Sequence, residues 1–220
     1  MTRLARVVVP DYPHHITQRG NRRQETFFCD KDYTAYISLM AECCGRFNVE
    51  IWFYCLMPNH VHLIAVPKSE DGLRRAIGEA HRHYTRGINF RQDWRGHLWQ
   101  GRFSSFAMDN KHLIAAVRYI AMNPVKAGLS KRPEQYRWSS AAAYLRGKTD
   151  PLVKVRGLNK IIDDWPEFFK ESVDSLMAER IRKHEHTGRP LGSEKFLLRL
   201  EKILNRMLLP KKAGRPKKKK

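Results

Sequence analysis

Between Val49 and Val66 the chain reads VEIWFYCLMPNHVHLIAV, two runs of β-branched, aromatic and aliphatic residues around a Met-Pro-Asn break. Runs of this composition favour strands, and Pro-Asn is turn chemistry. This is the clearest strand signal in the chain, and it predicts a β-hairpin.

The flanking segments supply the partners. HHITQR, residues 14–19, reads as a short strand, followed by a polar, basic loop GNRRQ at 20–24. Asp30 is the expected N-cap of a helix reaching about Cys44, with Tyr33, Tyr36, Ile37, Met40 and Cys44 on one side and Gly45 as its stop. A second helix is expected over about 70–89, with Asp71 near its start and Leu73, Ile77, Ala80, Tyr84 and Ile88 spaced for burial. LWQGRFSSFAM, 98–108, predicts another strand with a bulge at Gly101. Asp109 or Asn110 then caps a helix over 111–122, which must stop before Pro124. The order strand–helix–strand–strand–helix–strand is that of a ferredoxin-like α+β sheet with its helices on one face. Helices are expected at 133–146, at 158–183 with a break near Pro166, and at 193–207, with HEHTGRP (184–190) as a linker. The domain reading is a catalytic unit over 1–130, a helical C-terminal extension over 131–209, and a disordered basic tail over 210–220.

Charge narrows the function. The 220 residues carry 42 Lys+Arg against 22 Asp+Glu, a formal net charge of +20. The terminal KKAGRPKKKK holds seven of those positive charges, and the remainder still carries +13. Such an excess points to a polyanion, nucleic acid first. The tail reads equally as a solubilising end or as a non-specific phosphate binder. Gly214-Arg215-Pro216, and a second copy at Gly188-Arg189-Pro190, have the look of minor-groove hooks. No apolar run approaches the roughly 20 residues that cross a bilayer, so no membrane partner is expected. VVV at 7–9 is followed at once by Asp11, Pro13 and two histidines, unlike a signal peptide. Cys29, Cys43, Cys44 and Cys55 have no CxxC spacing, which favours a reducing cytoplasm.

His60-Val61-His62 falls on the second hairpin strand. Period-two alternation puts both imidazoles on one face, with Cα atoms about 6–7 Å apart, able to converge on one ion. By itself the pair reads more readily as two half-exposed strand histidines, and a tight site wants a third ligand. Tyr119 and Asn123 lie four residues apart on the helix before Pro124, one turn from each other on a shared face. There the amide and the negative helix end favour a cation. Alone, Tyr119 also reads as a core aromatic and Asn123 as a C-cap. His15-Ile16-Thr17 fits half of a two-histidine phosphoesterase motif, but no second half exists. His81 and His83 on a helix diverge by about 200°, which argues against shared ligation.

Taken together, MPNHVHLI followed by RYIAMNPVKAGL resembles the HUH single-strand DNA transposases with one catalytic tyrosine, in particular their domesticated branch, the REP-associated tyrosine transposases. HHITQRGNRRQETFF, LWQGRFSSF, GRPLGSEKFLLRLEKIL and GRPKKKK share the likeness, which is strongest over about 9–130. The resemblance implies the HUH endonuclease fold. It also implies a divalent ion, Mg²⁺ or Mn²⁺, held by His60, His62 and Asn123, although imidazole suits Zn²⁺ better than Mg²⁺. Tyr119 would attack a scissile phosphate to give a 5′-phosphotyrosine and a free 3′-hydroxyl.

The implied substrate is a single-stranded, imperfectly palindromic REP-type DNA hairpin, nicked and rejoined by a cytoplasmic, nucleoid-associated enzyme. The implied state is a monomer, with the homodimers of mobile-element relatives as the alternative. Expected DNA contacts are Arg19 with Gly20, Asn21, Arg22 and Arg23, then Arg82 and Arg86 on the second helix, then Trp99 and Arg102. Arg118, also counted as a way to ease ionisation of the phenol, and Arg215 complete the set. Arginines interleaved with aromatics suit single strands, whose bases stack and whose phosphates pair. The competing reading is a hairpin-binding regulator that does not cleave.

Overall fold

The hairpin forms where its sequence predicts. In the computed structural model, which describes residues 6–171 and 173–209, β2 (Val49–Met57) and β3 (His60–Pro67) pair antiparallel around Pro58-Asn59. The first strand, β1 (His14–Arg19), lies on the other side of β3, and β4 (Ser104–Ala107) lies outside β1. All pairings are antiparallel in the order β2-β3-β1-β4, the ferredoxin-like arrangement. The two crossover helices, α1 (Asp30–Arg46) and α2 (Gly72–Gln92), pack on each other, with Tyr36, Met40, Leu73, Ala76 and Ile77 in the core. No helix among the described residues is long and apolar enough to cross a membrane.

Several boundaries differ from the sequence expectation. Asp30 is the first residue of α1 rather than its cap. Cys29 takes that position, and Asp32 accepts from the Phe28 N–H at 2.8 Å while also pairing with Arg91. Gly45 lies inside α1; the turn comes at Asn48, which adopts φ 51°. The strand expected over 98–108 shrinks to Ser104–Ala107. Gly101, at φ 66°, turns the chain, and its carbonyl accepts from the Gln18 side chain.

The next helix, α3 (Asn110–Ala121), is capped by Asp109 and ends ahead of Pro124. The chain then makes one more turn, α4 (Asn123–Lys126). Pro124 sits there at an opening position, where its missing N–H costs nothing.

The C-terminal half is more broken than periodicity suggested, because it is used to cover sheet edges. Instead of one helix over 133–146 there is a 3-10 turn at 133–135, a turn-rich stretch at 136–140, and α5 (Ala141–Arg146). The stretch pairs with the open edge of β2 through Leu56 N to Trp138 O and Ser140 N to Tyr54 O. The expected 158–183 helix becomes a 3-10 turn at 158–160, α6 (Trp165–Lys170) and α7 (Ser175–Thr187); α8 (Glu194–Leu204) follows. Leu191 pairs with the outer edge of β4. Both sheet edges are thus masked from adventitious strand pairing.

Among the described residues five histidines are nearly or fully enclosed: His14, His15, His62 and His81 on or beneath this sheet, and His112 on α3. His14 receives the Val9 N–H on Nε2 and gives its Nδ1 proton to the Tyr12 carbonyl. His81 stacks on Trp99 and shares a hydrogen bond with the Tyr36 hydroxyl, 2.9 Å from its Nε2. Burial disfavours the imidazolium, holding His14 to about 4 and His81 to about 3 against an ordinary 6.5. The unfolded chain therefore takes up protons before the folded one does. Stability contributed by neutral burial is intact above pH 6.5 and drains as pH falls toward these lower values, by about 1.4 kcal/mol per pH unit per proton. Chemical denaturation followed between pH 7 and 4.5 should show a steep acid limb, and His81→Gln, which keeps a polar partner for Tyr36, should flatten it. An unchanged slope would assign the acid lability elsewhere.

Candidate active site

Register and parity bring the site together. Thr17 pairs with His62, Arg19 with His60, and His15 with Ile64, so His15, His60 and His62 share one face of the sheet. That face also carries Tyr119 of α3, whose ring meets His62 edge-on at 6.0 Å and His15 at 6.4 Å. Asn123, at the start of α4, lines the same cavity of about 1190 Å³ as His60, His62 and Tyr119.

Ring nitrogens can be assigned from their partners. The Asn59 amide donates to the Arg23 carbonyl, which turns its oxygen toward His60, 2.6 Å from Nδ1. His60 therefore carries its proton on Nδ1 and keeps the Nε2 lone pair. His62 Nδ1 lies 3.0 Å from His15 Nε2. When His62 donates in that bond, its own Nε2 is also a lone pair. Burial, then the charge of Arg19, holds His60 at about 4; burial holds His15 at about 3 and His62 well below 6.5. All three rest as neutral imidazoles, the ligating form.

The phenol is in the opposite condition. Desolvation, then the carboxylate of Glu185, raises Tyr119 to about 12, while Arg182 and Arg19 oppose them. Tyr119 is held as a neutral phenol at pH 7. Asn123 Nδ2 is buried with no hydrogen-bond partner among the described residues. Buried amides are ordinarily satisfied, and a simple flip exchanges this amide's nitrogen and oxygen, so the side chain can offer an acceptor to a bound cation.

The rim is basic. Arg19, Arg22, Arg23 and Arg102 line the cavity together with Arg182 and Lys126. Gly20 sits behind them: its N–H donates to Asn59 O, and a Cβ there would lie 2.2 Å from the Gln24 carbonyl oxygen. Only glycine fits. Asn21 N bonds Leu98 O, and Arg22 and Arg23 both hold positive φ (51° and 63°), a costly backbone state for arginine.

Other expected contacts lie elsewhere. Arg82 and Arg86 are exposed on α2 outside the cavity lining, and Arg82 contacts His83. Trp99 is 6 % exposed, stacked against His81 at 4.8 Å, so it is a core ring and not a stacking platform for bases. Arg118, one residue and about 100° around the helix from Tyr119, bonds Phe168 O and pairs with Glu171 on the side of α6. It does not ease ionisation of the phenol. Arg215 lies outside the described residues. Gly188 caps α7 at φ 66° and Pro190 is buried, which removes the hook reading of 188–190.

Three residues enter that sequence reading left out. His15, dismissed with its phosphoesterase motif, bonds His62. Glu185 and Arg182 come from α7, whose last turn occupies the segment expected to be a linker. Alternation along β1 carried a signal for His15; nothing local marked Glu185. Glu185 Oε1 lies 3.9 Å from both His15 Nε2 and His62 Nδ1, and burial raises its carboxyl to about 7.

Comparison with known proteins bears on this arrangement. Among solved structures, the chain is similar to a REP-associated tyrosine transposase bound to a REP hairpin, at 23 % identity and a TM-score of 0.57, over 70 % of this chain and 92 % of that one. At that identity the likeness is one of fold. A putative transposase from Deinococcus radiodurans is more distant, at 15 % identity and a TM-score of 0.38, over 59 % of this chain and 94 % of that one. No curated protein matches the chain significantly. Residues 8–123, which include β1, the hairpin and α3, match the family model described as "Transposase IS200 like". Since that span is more than half of the chain, the protein belongs to the family of IS200-like transposases.

Proposed function

We propose that this transposase nicks and rejoins single-stranded DNA at palindromic, REP-type hairpins through a 5′-phosphotyrosine on Tyr119. The observation that carries the proposal is the meeting of a phenol with a neutral histidine pair in one basic cavity, the Tyr119 ring 6.0 Å from that of His62. His60 Nε2, His62 Nε2 and the Asn123 amide are the residues that would hold a divalent cation, Mg²⁺ or Mn²⁺ by family resemblance. Two lone pairs and an unsatisfied amide fit that use. Such an ion supplies charge stabilisation to a phosphate in flight.

The chain's own residues do the rest. Arg19, Arg22, Arg23 and Arg102 would hold the phosphates of a single strand across the cavity mouth. The Tyr119 oxygen attacks phosphorus in line, its proton leaves to solvent or a nearby base, and the 3′-oxygen of the preceding nucleotide departs. One phosphodiester bond breaks as the tyrosyl ester forms, so reversal by a 3′-hydroxyl needs no nucleotide cofactor. Arg19 and Arg182 are the guanidinium groups whose charge lowers the cost of the phenolate. In this reading residues 1–130 form the catalytic unit of a cytoplasmic, nucleoid-associated monomer, and the helical extension adds Arg182 to it.

A hairpin oligonucleotide with Mg²⁺ should yield a covalent protein–DNA band on a denaturing gel, and Tyr119→Phe should remove the band while hairpin affinity stays within about threefold, because phosphate contacts dominate affinity. Tight binding without any adduct in the wild type would select the non-cleaving regulator instead. His60→Ala should abolish the adduct and spare binding. For the rim, Arg22→Ala and Arg23→Ala should each weaken binding and reduce the log–log salt slope by about 1; slopes equal to wild type would take these arginines off the DNA path.

A further inference from the structure

The cleavage chemistry above leaves Glu185 unused. Its Oε1 is buried and makes no hydrogen bond among the described residues, although buried carboxylates are normally paired or bound to metal. It faces two nitrogens that are themselves 3.0 Å apart, each 3.9 Å away.

We propose that His15 Nε2, His62 Nδ1 and Glu185 Oε1 form a binding site for a borderline divalent cation of the zinc class, different from the set of His60, His62 and Asn123 but sharing the His62 ring with it. Geometry supports it. A point equidistant from the three atoms lies about 2.1 Å from each, the length of a Zn–N or Zn–O bond. They form the cluster of three His, Cys, Asp or Glu donors within 4.8 Å of one another among the described residues. Chemistry supports it as well. Two imidazoles and a carboxylate are a zinc donor set, whereas Mg²⁺ prefers oxygen ligands and retained waters. Three different elements present the donors: β1, β3 and α7. An ion there would pin the C-terminal extension to the sheet.

Occupancy has a consequence for His62, which rests on the function proposed above. A neutral imidazole has one lone pair. If Nδ1 binds zinc, the proton resides on Nε2, and the nitrogen expected to face the catalytic ion is blocked. Zinc and magnesium thus compete for one ring, and stoichiometric zinc should inhibit Mg²⁺-supported cleavage.

The test titrates zinc into chelator-stripped, full-length protein by calorimetry, with Co²⁺ as an absorbance probe of nitrogen coordination. One ion should bind per chain. Glu185→Gln and His15→Gln should each lose at least about tenfold in affinity, whereas His60→Ala and Asn123→Ala should stay within threefold. Glu185→Gln preserves size, and circular dichroism confirms its fold, so it carries the result if the buried His15 variant fails to fold. Wild-type affinity in Glu185→Gln, or an equal loss in His60→Ala, would overturn the site and leave the nicking function standing. Conversely, the expected zinc profile in a protein that forms no DNA adduct with Mg²⁺ would keep the site and remove the nicking function.

Discussion

The antiparallel register of β1 on β3 is the constraint from which the site follows. Thr17 opposite His62 and His15 opposite Ile64 set three imidazoles on one face and Ile16, Val61 and Leu63 on the other. Because side chains alternate with period two, a slip of β3 by one residue would exchange the two faces of that strand. Histidines would then replace apolar core against the other layer, and Val61 would face the cavity. Burial makes that exchange costly: Ile16, Val61 and Leu63 are fully enclosed. The register that packs the core also arranges the chemistry.

Buried histidines serve two purposes here, and their ring nitrogens tell them apart. His14 has both nitrogens matched to backbone groups, and His81 shares a hydrogen bond with a tyrosine hydroxyl while stacked on Trp99. These are structural. Among the described residues His60 is fixed by Asn59 on one nitrogen only, and His62 by His15 on one only. In each of the latter pair the remaining nitrogen lies on the cavity side of the sheet. Neutrality, imposed by burial, is common to both groups; what differs is whether any lone pair is left over.

The C-terminal extension is more than an appendage. Its segments close the open edges of β2 and β4 through Trp138, Ser140 and Leu191, and α7 lays Arg182 and Glu185 against the histidine face. The same stretch that looked like a charged linker, HEHTGRP, ends a helix at Gly188 and delivers a carboxylate to the site.

What could be read from the chain alone was what depends on short spacings. Alternation in NHVHLI settled that His60 and His62 share a face. A separation of four suggested that Tyr119 and Asn123 lie one turn apart on one helix; α3 instead ends at Ala121 and Asn123 opens α4, though both line one cavity. The order of strands and helices pointed to the ferredoxin-like sheet. These properties are local, because backbone geometry repeats every two or about 3.6 residues whatever the rest of the chain does. Folding decided what joins residues far apart. The pairing of His15 with His62 spans 47 residues and exists only because β1 inserts beside β3 in one register. Trp99 became core and Arg118 turned toward α6, because packing assigns each side chain of a mixed basic and aromatic segment to interior or surface. Glu185 reached the histidines because covering a sheet edge folded the extension back over that face. Such placements reflect the free energy of burying a whole surface, a sum over distant parts of the chain that no short window contains.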